Sequence, residues 1–301
     1  MLRDARLCFI GSGAMGEAII GGLLNKKAVE AQRIVASDPV ERRRQEMAAR
    51  FGISAVADNG EAVKGASVVI LAVKPQVLPD VLRELRGHVE KDALVLSIVA
   101  GARATAIAKA LDHPAVVRSM PNTPAQVGEG MTVWMATPRV SEQQRGQAQA
   151  ILRALGKEIY VEDEKFLDMA TAVSGTGPTY VFLVMEALID AAVHLGFSRV
   201  IARDLVVQTM LGSAIFARDS DRHMAELRNM VTSPGGTSAE ALYQLEKGSL
   251  RTVLSKAVWA AYQRSVTLGD VAAEAMTGGH GDRETRGPGD GETGGREDGS
   301  A

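Results

Sequence analysis

The chain has 301 residues, of which 46% are hydrophobic and 23% are charged, and its formal net charge is −2. This length favours about two domains, and the hydrophobic fraction can supply a sizeable core. The near balance of basic and acidic residues argues against a general binder of nucleic acids or membrane surfaces. The single cysteine, Cys8, excludes an internal disulfide framework and a metal site built from several cysteines, and we expect a packed core thiol.

No histidine stands four residues from another, so the sequence lacks the helical metal-binding pair of a zincin, and we predict no metal. No stretch reaches about 18 uninterrupted apolar residues, so no membrane span is expected. The N-terminus does not resemble a signal peptide, because Asp4 lies near its start and the apolar run 7–10 is too short. These features predict a cytoplasmic protein in a reducing compartment.

The first half alternates strand and helix patterns along the chain. The apolar run at 66–73 is continuous, as in a parallel strand buried on both faces. The segments between such runs carry apolar residues at helical spacing. This alternation with short connections predicts a doubly wound α/β sheet. The predicted strands are 7–10, 34–36, 66–73, 94–99, 115–120 and 132–136, and the predicted helices are 14–24, 40–51 and 102–111.

The second half is predicted to be entirely helical. On the second of its helices, Glu186, Asp190 and His194 form one polar stripe on an otherwise apolar surface. Such a helix is buried on most sides, by its own domain or by a partner chain. The predicted helices are 166–174, 179–195, 198–218 and 238–269.

The composition divides the chain into three predicted segments. Residues 1–162 form the α/β domain, residues 163–276 form the helical domain, and residues 277–301 form an acidic, glycine-rich tail. The tail has no large apolar side chains and cannot offset its ordering entropy, so we predict that it is disordered.

A glycine motif, GSGAMG at 11–16, follows the first predicted strand and opens the first predicted helix. Dinucleotide-binding GxGxxG loops require this placement. The glycines allow a tight turn and close approach to a pyrophosphate, and the helix N-terminus supplies N–H groups. We therefore predict a Rossmann-type domain. Its predicted loop residues are Gly11, Ser12, Gly13, Ala14, Met15 and Gly16.

The choice of dinucleotide is left open by conflicting signals after the second predicted strand. Asp38 is placed to accept hydrogen bonds from a ribose hydroxyl, which favours NAD. Ser37 with one arginine of 42–44 is suited to a 2′-phosphate, which favours NADP. The same arginines are also compatible with a solvated helix face.

Five further motifs carry a family resemblance: AVKP at 72–75, SIVAG at 97–101, MPNTP at 120–124, SGTGPTY at 174–180 and VTSPGGTS at 231–238. In this order, after the glycine loop, they make the chain resemble the pyrroline-5-carboxylate reductase family over most of its length. The SPGG tetrapeptide is the most specific of these motifs. The resemblance implies an all-α dimerisation and substrate domain after the Rossmann-type domain.

The resemblance also implies NADPH as cofactor, with NADH as an alternative, and a small-molecule substrate. It implies a homo-oligomer with interleaved helical domains, a dimer or a larger assembly up to a decamer. The candidate cofactor residues beyond the glycine loop are Ser37, Asp38, Asn59, Ala72, Val73, Lys74, Pro75, Ala100, Gly101 and Asn122.

The resemblance places the substrate carboxylate at the Gly-Gly loop that opens a helix. This agrees with elementary chemistry, because glycines allow close approach and a helix N-terminus attracts an anion. Ser238 stands where the family usually has threonine, and Met230 stands where it often has a polar residue. The candidate substrate residues are Glu164, Thr171, Tyr180, Ser233, Gly235, Gly236, Thr237 and Ser238.

The implied reaction is hydride transfer to the C=N carbon of a cyclic imine, which yields L-proline. Ser238, with Thr237 as second candidate, would hydrogen-bond the ring nitrogen, and we expect catalysis mainly by proximity and orientation. One alternative is another imine or β-hydroxy-acid reductase of the same superfamily. The other is a non-catalytic dinucleotide-binding protein, against which the intact segment 231–238 argues.

Overall fold

The computed structural model describes residue 2 and residues 4–277, so the predicted tail beyond 277 lies outside the described residues. The strands are β1 (Leu7–Ile10), β2 (Ile34–Ser37), β3 (Ser54–Val56), β4 (Val68–Leu71), β5 (Leu94–Ser97), β6 (Val116–Met120), β7 (Gly130–Ala136) and β8 (Gly156–Tyr160). They form one sheet in the order β3-β2-β1-β4-β5-β6-β7-β8. Pairing is parallel except between β6 and β7. The predicted α/β sheet is confirmed.

The predicted strands did not include β3 and β8, which are the two edges of the sheet. β3 has only three residues, and the residues of β8 are half-buried or exposed. An edge strand lacks the continuous apolar run of a strand buried on both faces, so neither segment carried the pattern on which the prediction relied.

Helices cover both faces of this sheet. They are α1 (Ala14–Asn25), α2 (Glu41–Phe51), α3 (Asn59–Val63), α4 (Leu78–Leu85), α5 (Ala104–Leu111) and α6 (Glu142–Arg153). Successive residues of β1 enter opposite cores, because side chains alternate along a strand. Phe9 packs in the same core as Ile19, and Ile10 packs in the other with Leu82. Cys8 is fully buried, and burial raises its pKa to about 12, as expected for a packed thiol.

The second half is helical, as predicted. Its elements are α7 (Lys165–Ala170), one π-helical turn (Thr171–Gly175), α8 (Gly177–His194), α9 (Arg199–Arg218), α10 (Met224–Met230), α11 (Thr237–Lys247) and α12 (Leu250–Thr277). The prediction of a single helix over 238–269 was wrong. The Gly248 N–H closes the last turn of α11 on Gln244 O, and Ser249 adopts φ +58°, which breaks the helix.

The helical half leaves much of its apolar surface uncovered. No residue within α8 is buried, and Phe182 and Leu183 are 61% and 64% exposed. Two stretches, Lys165–His194 and Arg199–Arg218, are long and apolar enough to cross a membrane by length and composition alone. An apolar surface of this extent on a helical domain indicates an interaction surface.

Candidate active site

The glycine loop leaves β1 and enters α1 in the predicted geometry. Gly11 has φ +91°, and a Cβ there would lie 2.7 Å from Ala72 O, so the loop crosses the end of β4 too closely for a side chain. A Cβ at Gly16 would lie 2.8 Å from Gly11 O, which explains the last glycine of the motif. By contrast, a Cβ at Gly13 would meet nothing within 4 Å, so this residue faces open space at the start of α1. The loop therefore has the shape that a pyrophosphate requires.

Asp38 shapes the glycine loop directly. Its Oδ2 accepts hydrogen bonds from the Ser12 N–H at 3.1 Å and from the Ser12 hydroxyl at 2.8 Å. Its Oδ1 accepts a hydrogen bond from the Val40 N–H at 3.0 Å. Both carboxylate oxygens thus hold the loop and the turn into α2 in place.

Ser37 and Asn59, two of the candidate cofactor residues, belong to one chain of hydrogen bonds. The Ser37 hydroxyl is buried and donates to Asn59 Oδ1 at 2.7 Å. Asn59 Nδ2 then donates to Glu84 Oε2 at 2.7 Å. The orientation of the Asn59 amide is therefore set by a hydroxyl on one side and a carboxylate on the other.

The three arginines of α2 do not behave alike. Arg42 is a solvated side chain, whereas Arg43 and Arg44 turn towards the glycine loop and the end of β2. Arg43 Nε donates to Ser12 O at 2.6 Å, and its hydrogen bond with Glu17 raises the pKa of its guanidinium. Arg44 Nη1 donates to Asp38 O at 2.8 Å and to the following carbonyl at 3.0 Å. The solvated-face interpretation thus fits Arg42 but not its two neighbours.

The remaining predicted cofactor residues lie where β4 and β5 end. The Ala72 N–H donates to Ile10 O at 2.8 Å, which keeps the 72–75 segment against the glycine loop. Lys74 and Pro75 are exposed, whereas Ala72, Val73 and Ala100 are half-buried. These residues line one continuous edge of the sheet with the glycine loop.

Gly101 and Asn122 connect this edge with the helical half. Gly101 is buried, and a Cβ there would lie 3.3 Å from Gly269 N of α12. Asn122 Oδ1 accepts a hydrogen bond from the Met131 N–H at 2.9 Å, and its Nδ2 donates to Ser174 O at 3.1 Å. Asn122 thus links β7 with the π-helical turn.

Three predicted substrate residues lie around α7 and the π-helical turn. The Thr171 hydroxyl donates to Leu167 O at 2.7 Å, and the Tyr180 hydroxyl donates to Ala172 O at 3.1 Å. Glu164 precedes α7, and its Oε1 accepts a hydrogen bond from the Ala104 N–H at 2.7 Å. These side chains are therefore fixed by contacts within the chain.

The Gly-Gly loop precedes α11, as predicted. Gly235 has φ +68°, which favours glycine, and a Cβ at Gly236 would lie 2.6 Å from Ser233 Oγ, so the loop is tight at this point. No side chain caps the start of α11. Thr237 is exposed and Ser238 is half-buried. The open N-terminus of this helix is suited to a carboxylate.

Within the described chain, no hydrogen bond joins the loop 231–238 to the glycine loop. The backbone bonds of that segment connect residues 228–240 with one another. The predicted residues therefore form two groups: one along the sheet edge with the π-helical turn, and one at the start of α11. The described residues also contain no cluster of histidine, cysteine, aspartate or glutamate able to hold a metal ion.

Two family models match the chain. One, described as pyrroline-5-carboxylate reductase dimerisation, matches residues 164–268, and the other, described as NADP oxidoreductase coenzyme F420-dependent, matches residues 6–101. The pyrroline-5-carboxylate reductase of Synechocystis sp. is 41% identical over 264 residues, which are 88% of this chain and 98% of that protein. The chain belongs to the pyrroline-5-carboxylate reductase family. The resemblance seen in the sequence is confirmed, and with it an oxidoreductase that uses NAD(P)H.

Solved structures of pyrroline-5-carboxylate reductases share the fold. The enzyme from Coxiella burnetii has a TM-score of 0.83 and 36% identity, and the match covers 88% of this chain and 99% of that one. The Plasmodium falciparum enzyme with NADP bound has a TM-score of 0.82 and 31% identity, covering 89% and 100%. The family model for dimerisation covers the helices that have exposed apolar faces. The match and these faces together support a homo-oligomer.

Several residues that contact the candidate site residues or their neighbours were not predicted. Glu84 accepts a hydrogen bond from Asn59, and Glu17 accepts one from Arg43. Arg118 donates to both Glu164 and Asp168. One signal was present: Arg118 is a charged residue inside the apolar run 115–120. A charge within a buried strand requires a partner, although the sequence does not reveal which one.

Proposed function

We propose that this chain reduces 1-pyrroline-5-carboxylate to L-proline, the final step of proline biosynthesis, with NADPH as the preferred hydride donor. One observation carries the proposal. This member of the family has two helix N-termini that no side chain caps, at α1 and α11, and a glycine turn precedes each of them. The start of α1 is suited to a pyrophosphate, and the start of α11 is suited to a carboxylate. The substrate and the dinucleotide each carry one of these anions.

The experiment that tests this function is nicotinamide oxidation by the purified protein with DL-pyrroline-5-carboxylate, with NADPH and NADH in parallel. Turnover supports the substrate, and the ratio of the two rates gives the cofactor preference. Binding of NADPH without turnover would retain the dinucleotide site and refute the substrate.

The chain's own groups bind and orient the reactants in this proposal. The backbone N–H groups of Gly235, Thr237 and Ser238 hold the substrate carboxylate, while the Gly236 N–H donates to Ser233 O at 3.1 Å and closes the loop. The Ser238 hydroxyl hydrogen-bonds the ring nitrogen. Bound NADPH supplies the hydride to the C=N carbon. Because the imine accepts hydride as its protonated form, the ring nitrogen ends as the amine of proline without a second proton transfer. Catalysis then rests on proximity and orientation.

The surrounding residues complete the two subsites. Ala72, Val73, Lys74 and Pro75 line the nicotinamide ribose, with Ala100 and Gly101 beyond them, and Asn122 lies at the domain junction where substrate and nicotinamide meet. The substrate pocket is lined by Glu164, Thr171, Tyr180 and Ser233. The loop 231–238 makes no hydrogen bond to the glycine loop in the described chain, which supports a pocket completed by the partner chain.

The residues at the end of β2 fit NADPH. Asp38 Oδ2 accepts hydrogen bonds from Ser12 of the glycine loop, and Oδ1 accepts one from Val40 in the turn into α2. Asp38 therefore stabilises the conformation of the glycine loop. Arg44 uses only Nη1 in its two backbone hydrogen bonds, at the place where an adenosine ribose would lie beside Ser37. We assign the 2′-phosphate to Ser37 and Arg44, with the Ser37 hydroxyl turning from Asn59 Oδ1 to donate to the phosphate.

Replacement of Arg44 by alanine is expected to raise the Kd for NADPH by about 10-fold to 100-fold and to leave the Kd for NADH nearly unchanged, because a charge-assisted bond to phosphate is worth about 1.5–3 kcal/mol. Fluorescence titration with both dinucleotides measures this. Arg42→Ala is the matched control, since Arg42 is solvated and, within the part of the chain that the structure describes, forms an ion pair only with Glu46. Equal weakening of both dinucleotides would remove Arg44 from the 2′-phosphate site.

We also propose that the boundary between the two domains lies between residues 162 and 163. The helical domains would form interleaved dimers or a larger ring such as a decamer. The protein would work in the cytoplasm. The sheet ends at Tyr160, and the dimerisation model begins at 164. The apolar faces of α8 and α9 supply the surface that interleaved helices would bury.

Introducing a charge on this face is expected to dissociate the oligomer. Phe182→Glu would bury a carboxylate in an apolar interface, which is strongly unfavourable. Light scattering coupled to size-exclusion chromatography should show a lower molar mass than for the unmodified protein. Val127→Glu is the control, because Val127 is 78% exposed on the α/β half. An unchanged mass for Phe182→Glu would place the interface elsewhere.

A further inference from the structure

A buried arginine with two carboxylates lies where the sheet meets the helical half. The Arg118 side chain on β6 is 4% exposed and donates to Glu164 Oε1 at 2.9 Å and to Asp168 Oδ1 at 3.2 Å. Glu164 Oε1 also accepts a hydrogen bond from the Ala104 N–H, and Asp168 Oδ1 accepts one from the Ser265 hydroxyl at 3.1 Å. We call these five residues the Arg118 cluster.

The Arg118 cluster joins four elements, namely β6, α5, α7 with its preceding residue, and α12. Two carboxylates face one guanidinium. The positive N-terminal end of α5 offsets the additional negative charge at Glu164. In such a buried group, loss of one partner leaves a charge uncompensated, so the arrangement is held as a unit. The guanidinium therefore fixes α7 on the sheet.

The position of α7 sets the position of the π-helical turn that follows it. That turn, Thr171–Gly175, contacts the segment after β6, where Asn122 Nδ2 donates to Ser174 O at 3.1 Å. A Cβ at Gly175 would lie 2.9 Å from Met120 Cε, so the turn packs closely against the end of the strand. Single π turns occur frequently at functional sites.

The same cluster also fixes α12 beside a second cofactor residue. Ser265 is buried and bonds Asp168, and one turn later the α12 backbone passes Gly101. A Cβ at Gly101 would lie 3.3 Å from Leu268 C and from Gly269 N. Two predicted nicotinamide-site residues, Gly101 and Asn122, thus contact helical elements that the Arg118 cluster holds.

We propose that Arg118 is a positioning residue for hydride transfer. It sets the distance between the substrate-bearing helical half and the nicotinamide end of the sheet, through α7 and α12, without touching either reactant. The proposal rests on the proposed reductase function. Rate depends steeply on such placement, because a misplacement of about 1 Å can cost about 100-fold.

Arg118→Met is expected to lower kcat about tenfold, since relaxed placement of the reactants raises the barrier to hydride transfer. The Kd for NADPH should stay unchanged, because the glycine loop is not part of the Arg118 cluster. The primary isotope effect with 4-deuterated NADPH should rise as hydride transfer becomes slower. Arg118→Lys should recover only part of the rate, because an ammonium group lacks the planar fork that reaches two carboxylates.

A second variant protects the test against loss of folding. Ser265→Ala removes one hydrogen bond from Asp168 and leaves the ion pairs in place, so it should fold and show the same changes in kcat and isotope effect with smaller amplitude. The matched control is Arg153→Met. Arg153 Nε lies 3.2 Å from Glu158 Oε1, but this pair joins α6 to β8 within the α/β half. It should leave kcat unchanged.

Hydrogen exchange of the full chain gives a readout that needs no turnover. Peptides covering 171–177 should exchange faster in Arg118→Met and Ser265→Ala than in Arg153→Met. Unchanged exchange there would overturn the proposal, whether or not the protein reduces pyrroline-5-carboxylate. Faster exchange with an unchanged kcat and isotope effect would also overturn it, since Arg118 would then be purely structural. Absence of turnover in the unmodified protein would refute the proposed function separately.

Discussion

Replacement of Gly11 by alanine is expected to weaken NADPH binding about 100-fold, through backbone strain and a clash worth about 3 kcal/mol together. Gly11 has φ +91°, a conformation that residues with a side chain rarely adopt. The new Cβ would also lie 2.7 Å from Ala72 O and 2.9 Å from Val73 Cγ1. Relief of this clash would move the glycine loop away from the end of β4, the proposed place of the dinucleotide.

Fluorescence titration with NADPH measures the loss, and thermal unfolding reports whether the domain remains folded. Gly13→Ala is an informative comparison, because among the described residues no atom beyond its own chain neighbours and local helix backbone lies within 4 Å of its Cβ position. That variant should fold like the unmodified protein and bind NADPH more weakly, since only the pyrophosphate meets the added methyl group. A Kd for NADPH close to the original value in Gly11→Ala would show that the loop does not form the dinucleotide site.

Replacement of Ser238 by alanine should lower kcat/KM between about 10-fold and 100-fold, which corresponds to about 1.4–2.7 kcal/mol of transition-state binding. Ser238 lies in the first turn of α11 and is half-buried beside the Gly-Gly loop. Its hydroxyl oxygen would accept a hydrogen bond from the N–H of the protonated imine. This bond would orient the C=N carbon towards the hydride. The fold should persist, because in the described chain the Ser238 side chain makes no internal hydrogen bond.

Steady-state kinetics with pyrroline-5-carboxylate and NADPH measures this effect. Ser238→Thr is the matched control, because it keeps the hydroxyl at the same backbone position and should retain most of the activity. Thr237→Ala distinguishes the second candidate. Unaltered kinetics in Ser238→Ala would remove Ser238 from the mechanism, and a loss confined to Thr237→Ala would transfer the role.

Local patterns were sufficient where one segment both forms an element and carries the chemistry. The glycine loop is such a case, since strand, tight turn and helix start all lie within residues 7–25. The continuous apolar run around β4 was equally clear, because a parallel strand buried on both faces has no polar positions. The break between α11 and α12 was missed although Gly248 marks it, because apolar spacing continues on both sides of the break.

By itself, the sequence determined the inner strands of the sheet, the helical half, the dinucleotide loop and the family, since these depend on periodicity and on short motifs. Tertiary structure alone decided which groups meet. Arg118 finds Glu164 and Asp168, 46 and 50 residues further along the chain, and Asp168 finds Ser265 97 residues later. Likewise, Asp38, one of the two alternatives for the choice of dinucleotide, bonds Ser12 across the β1–β2 crossover. Hydrogen bonds and ion pairs between distant residues depend on how helices pack on the sheet, and no local pattern encodes that packing.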